Sequence, residues 1–214
     1  MIENYHGEGA RVTLDHERKY IHVEINEEEY KKEPEEEIDR TIAHEVTHEF
    51  LSLKKKHCRI RCGEEVKDTV GRLETMIEDI VVNKIIEEKN YRPYSIQYLD
   101  DIRLEIDILR KGKDVYEMYD YDPIYKKMFM VSRYIQAWGT LQYFNSGEID
   151  KKTIHKYEKQ FQKSYPKQYE EAKKIKEIIL ENNIFTLEGY NKTIKECLDL
   201  WNLTKLPDVE IYIC

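Results

Sequence analysis

From Glu35 onward the apolar residues of this chain fall three or four apart, and that spacing decides most of what it can fold into. Ile38, Ile42, Val46, Phe50 and Leu53 mark one face of a helix over residues 35 to about 56, since a helix turns once every 3.6 residues. Pro34 and the glutamates 35–37 suit its first turn, where the helix dipole favours negative charge, and Lys54, Lys55 and Lys56 suit its last. Val66, Val70, Leu73, Ile77 and Ile80/Val81 predict a second helix from about Glu64 to Lys89, which Pro93 stops. The same period predicts helices at 95–111, 123–145, 150–163, 166–182 and 187–202. Ahead of them the period is two. Val12/Leu14 and Ile21/Val23/Ile25 alternate with polar neighbours, as in a strand hairpin with a loop at 15–19. The run "VEIYIC" at 209–214 reads as a last short strand. The expected fold is α+β: a short antiparallel sheet and two helices over residues 1–92, then an all-helical region over 93–214 packed on it as one unit.

One stretch of the first helix carries chemistry: "TIAHEVTHEF", residues 41–50. Shuffled chains of this composition would show H-E-x-x-H roughly 3 times in 100, so the context of the motif matters. His44 and His48 project from one helix face, one turn apart, and both imidazoles can reach a single ion. Glu45 then lies beside the metal but outside its ligand set, where it can take a proton from a bound water and pass it to a leaving amine. Val46 and Thr47, between the histidines, are uncharged.

"TIAHEVTHEF" resembles the active-site helix of zincin metallopeptidases, and a strand hairpin before that helix is similar to their minimal core. Glu49 stands where those enzymes usually have an uncharged residue. Leu51 and Lys54 occupy the positions of the metzincin glycine and histidine, which leaves the glutamate type, the gluzincins, over residues 10 to 90. The resemblance implies a zinc-dependent metallopeptidase. His44, His48 and a carboxylate of the second helix would hold Zn²⁺, with Glu45 as general base and a peptide or protein as substrate. A catalytic zinc takes three protein ligands and keeps an open position for water. "LETMIEDIVVNKII" offers three carboxylates. Glu74 and Glu78 fall on one edge of the apolar stripe, and Asp79 falls on the far side near Asn83. Glu78 ranks first as third ligand, Glu74 next and Asp79 third.

Two other readings compete. His44, His48, Cys58 and Cys62 form H-x3-H-x9-C-x3-C, a set for a closed structural zinc, although such sites usually use C-x2-C or C-x4-C knuckles. The chain could also be a binding, regulatory or phage-type assembly protein with little proteolysis. His57 is an unassigned loop histidine, whereas His6, His16, His22 and His155 follow no pattern and suit exposed or structural places. One of these, or a tyrosine of the 116–125 cluster in "DVYEMYDYDPIY", is a candidate to stabilise an oxyanion, though packing between helices is the simpler role for that cluster. The net charge of −8 argues against a nucleic-acid surface, which needs a basic face. No window approaches the ~20 apolar residues of a membrane span, and the first residues lack a secretory pattern. Four cysteines are too few for a disulfide scaffold at this size, so the cytoplasm is the expected compartment.

Overall fold

The computed structural model describes residues 2–4, 10–15, 20–25, 31, 34–53, 59–120, 123–143, 148–206 and 209–212. The strands are β1 (Ile2–Asn4), β2 (Ala10–Asp15), β3 (Tyr20–Ile25), β4 (Arg59–Arg61) and β5 (Glu210–Tyr212). The helices are α1 (Glu35–Leu53), α2 (Lys67–Glu88), α3 (Tyr94–Arg110), α4 (Pro123–Tyr143), α5 (Glu148–Ser164), α6 (Pro166–Glu181) and α7 (Leu187–Leu200). Short 3-10 turns lie at Glu64–Val66, Glu117–Tyr119 and Leu203–Lys205.

Seven helices of 14 to 22 residues against five strands of 3 to 6 make the described chain predominantly helical. This corrects the expected α+β class. The structure does not show a zincin-like core built on an antiparallel sheet. The physical reason lies in the lengths: strands this short make only a three-stranded and a two-stranded patch, whereas α3 to α7 each find a helical neighbour for their apolar stripe. The region after residue 93 is not all-helical either, because β5 pairs antiparallel with β4, Ile60 opposite Ile211. No described helix is long and apolar enough to cross a membrane.

Contacts divide the chain into two units, residues 1–56 with 82–93 and residues 57–81 with 94–214. In the first unit β2 and β3 pair antiparallel, Val12 opposite Val23 and Leu14 opposite Ile21, in the register that the two-residue alternation implies. β1, which that alternation did not predict, adds to the other edge of β3 in parallel. α1 packs against β2 and β3. Its stripe is only partly covered: Ile38, Ile42 and Val46 are half-buried, and Phe50 is 47% exposed. The glutamate-rich first turn is put to use. Glu37 takes Arg40 Nη2 on one carboxylate oxygen at 2.5 Å and Arg92 Nη1 on the other at 2.6 Å. That clamp ties the start of α1 to the segment just beyond α2. Lys54, Lys55 and Lys56 lie outside the described residues.

In the second unit α3 packs on α4 and α5, α4 on α6, and α6 on α7. Its core is largely aromatic and aliphatic, with Tyr134 stacked on Phe161 at 4.7 Å and Ile135, Ile175, Ile179 and Leu198 fully buried. Thr186 caps α7 by accepting from Gly189 N at 3.1 Å. Gly189 is needed there, because a Cβ would stand 2.0 Å from the Asn183 carbonyl oxygen. Val70, Leu73, Met76, Ile77 and Ile80 of α2 are buried to 1% exposure or less, so this helix is covered on most of its circumference.

Candidate metal centre

His44 and His48 follow from α1 itself. Four residues apart on an unbroken helix, their rings meet edge to face at 4.7 Å, and the two Nε2 atoms face each other at 3.0 Å. Two nitrogens bound to one tetrahedral ion at ~2.0–2.1 Å would lie roughly 3.3 Å apart. The observed separation is close to that of a pair of ligands. Thr47 Oγ1 donates to the Ala43 carbonyl at 2.7 Å, which turns its polar atom back onto the backbone between the two imidazoles.

α2 supplies the partner of the pair. Asn83, 1% exposed, places Oδ1 3.1 Å from His44 Nδ1. An amide oxygen can only accept, so His44 donates its Nδ1–H and keeps the lone pair on Nε2. This is the tautomer that an Nε2 ligand requires, fixed by a carbonyl-type acceptor as in most histidine metal sites. One turn earlier on the same uninterrupted helix comes Asp79. His48, His44 and Asp79 form a group whose ligand atoms all lie within 4.8 Å of one another and which could hold a metal ion. Among the described residues it is the one such group, and none of its members is exposed. Gln136 of α4 donates Nε2–H to Asp79 Oδ2 at 2.7 Å and so orients the carboxylate.

The carboxylate in the group is therefore the one the sequence ranked third. Glu78, ranked first, and Glu74 are half-buried on α2 but are not among the gathered ligand atoms. A step of one residue turns a helix by 100°, and that angle separates Glu78 from the Asp79–Asn83 edge. Glu45 is half-buried and likewise outside the group, as its place directly after His44 implies. Sequence reasoning did not assign Asn83 or Gln136 a role. A signal for Asn83 was present: an amide in the middle of "IVVNKII", one turn from Asp79, mirrors the spacing of the two histidines.

Of the competing structural set, Cys58 lies outside the described residues. Cys62 is a free thiol that does not join the metal group. Its pKa is pushed up by burial and by the nearby Glu74 and Glu64 carboxylates, away from the thiolate that a metal would take. His6, His16 and His57 also lie outside the described residues, His22 sits on β3, and His155 is exposed on α5. In the tyrosine cluster, the Tyr116 hydroxyl donates to Glu105 and the Tyr125 hydroxyl accepts from Arg72 Nη2 at 3.1 Å. Both belong to the packing of the helical unit. No protein-family model, curated protein or solved structure matches the chain.

Proposed function

We propose that the chain is a zinc-dependent hydrolase of peptide bonds, with His44, His48 and Asp79 as metal ligands and Glu45 as general base. The observation that carries this reading is the facing pair of His44 and His48 nitrogens, 3.0 Å apart, with the Asp79 carboxylate gathered beside them. The donor set fits the ion: two imidazoles and one carboxylate are three protein ligands, which is the catalytic rather than the structural pattern. Bound there, zinc supplies a polarised substrate carbonyl and a water whose pKa falls toward ~7. The chain's own residues do the rest. Asn83 keeps His44 protonated on Nδ1, and Gln136 holds the Asp79 carboxylate in one orientation. Glu45, set 100° round the helix from His44, takes the proton from the water and returns it to the leaving amine.

The test has two arms. Untagged protein should carry about one zinc per chain, a content that Asp79→Asn lowers and Glu78→Gln leaves alone. Glu45→Gln should keep the metal and lose about 10²-fold or more of the turnover on a peptide library. Full zinc content in His48→Ala, or equal cleavage by Glu45→Gln and the parent, would overturn the reading.

A further inference from the structure

The helical unit holds a feature that the metal chemistry does not use. A cavity of about 290 Å³ lies between α3, the turn at Glu117–Tyr119 and α4. Three of its walls are aromatic: Tyr116, Tyr119 and Phe129. The Tyr119 and Phe129 centroids are 4.4 Å apart, and Tyr116 stands at 68° to Phe129, so the three rings form one packed cluster. This aromatic cluster already takes one cation, since the Arg72 guanidinium lies 4.8 Å from the Phe129 centroid.

The charges lining the cavity do not balance. Asp101 and Glu105 face it with a single guanidinium, Arg133. Arg133 pairs with the first of them: its Nη2 donates to Asp101 Oδ2 at 2.5 Å, and it lies 4.9 Å from the Tyr98 ring centroid. Glu105, only 6% exposed, is held by neutral donors, the hydroxyls of Tyr116 at 2.5 Å and Tyr157 at 2.9 Å, both on Oε1. The phenols supply its hydrogen bonds without charge, and Arg133, which also pairs with Asp101, is the cation it shares, so two carboxylates divide one positive charge, an arrangement that a cation in the cavity would relieve. Burial pushes the Glu105 carboxyl above its usual range, against the opposing pull of the two phenols and Arg133. At the mouth stand two apolar side chains, Leu104 at 63% exposure and Met118 at 72%.

We propose that this cavity binds a small aliphatic ammonium ion, its head group against Glu105 and the ring faces and its methylenes against Leu104 and Met118. The ring quadrupole attracts a cation, and the buried carboxylate supplies the counter-charge. A volume at the low end of ligand sites suits a small guest. A free alkylamine and the lysine side chain of a partner share this chemistry.

Calorimetric titration of the full chain in 150 mM salt tests the proposal with n-butylammonium, its neutral isostere 1-butanol, and Nα-acetyl-lysine methylamide. Butylammonium should bind saturably in the ~mM range that so few heavy atoms permit, with butanol at least tenfold weaker. Glu105→Gln can accept the same two tyrosine hydrogen bonds, so it should stay folded while losing at least tenfold in butylammonium affinity. Phe129→Leu should lose affinity as well. If the acetyl-lysine derivative binds as tightly as butylammonium, a partner's lysine is the natural guest; if it binds tenfold worse, a free amine is. Absence of butylammonium binding, equal binding of butanol, or parental affinity in Glu105→Gln would each overturn the assignment.

Discussion

Asn83→Ala separates what holds the metal group from what merely surrounds it. The substitution removes the oxygen 3.1 Å from His44 Nδ1 at a position 1% exposed, where no bulk water replaces it directly. One cost falls on folding: an N–H deprived of this acceptor in a buried place costs about 1–3 kcal/mol, with or without metal. A second cost is specific to the ion. Without the Asn83 acceptor, His44 can carry its proton on Nε2, and that tautomer has no lone pair toward His48. Losing such a partner typically weakens metal binding 10- to 100-fold, which is about 1.4–2.7 kcal/mol. Asn83→Asp restores the acceptor, so it should recover the affinity while lowering metal-free stability by burying a carboxylate. Competition against a chromophoric chelator at neutral pH reads the zinc Kd, and thermal denaturation in chelator reads the stability. A folded Asn83→Ala protein whose zinc Kd stays within about twofold of the parent would refute the reasoning.

Three further outcomes are expected. Gly139→Ala should destabilise by about 1–3 kcal/mol, because its Cβ would sit 2.3 Å from Cδ1 of the fully buried Ile80; Gly71→Ala, with nothing within 4 Å, should stabilise by about 0.5–1 kcal/mol, and thermal melting that ranks the two the other way would refute this. Glu37→Gln should cost about 2 kcal/mol by breaking the shared ion pairs with Arg40 and Arg92, and no change in melting temperature would show that the clamp contributes nothing. Acid should weaken the helical unit. Burial alone would raise the Glu158 carboxyl, but Lys176, Tyr169 and Tyr134 hold it below its usual value, and Asp114 is held down likewise by Lys126, Tyr165 and the Tyr116 amide. Groups depressed in the folded state give stability that is present above their unfolded pKa values of ~4 and is lost as pH falls through the folded ones. Lys176→Met should flatten that loss, and an unchanged acid branch of the melting curve would count against it.

The helices were legible from sequence because their cause is local. The edges of α3 to α7 fall within two residues of where apolar spacing and Pro93, Pro123 and Pro166 set them. β2 and β3 were legible from the two-residue alternation. What was not legible depended on partners far along the chain. Nothing local says that Ile2–Asn4 will join β3 in parallel, or that Arg59–Arg61 will meet Glu210–Tyr212. The fold class went astray for the same reason: a hairpin and two helices were extended into a sheet-based core by resemblance, while the long-range packing is helix on helix. At the site, the histidine pair was legible because both residues share one helix. The choice among Glu74, Glu78 and Asp79 was not, since it depends on the rotation of α2 about its own axis. That rotation is set by burial of Met76, Ile80 and Asn83 rather than by hydrophobicity near the carboxylates.

The phenols buried between α3, α4 and α5 set an alkaline limit on the helical unit. Burial, with the neighbouring carboxylates adding to it, raises the hydroxyls of Tyr116, Tyr134 and Tyr157 above the usual tyrosine value. Each is neutral in the folded chain and would ionise more readily in the unfolded one, so protons lost above about pH 10 pull the equilibrium toward opening. Ultraviolet titration near 295 nm should therefore proceed in two stages, with accessible tyrosines ionising reversibly first and these three only as the helices separate. The hydroxyls that anchor Glu105 and Glu158 are in this sense a latch that base releases.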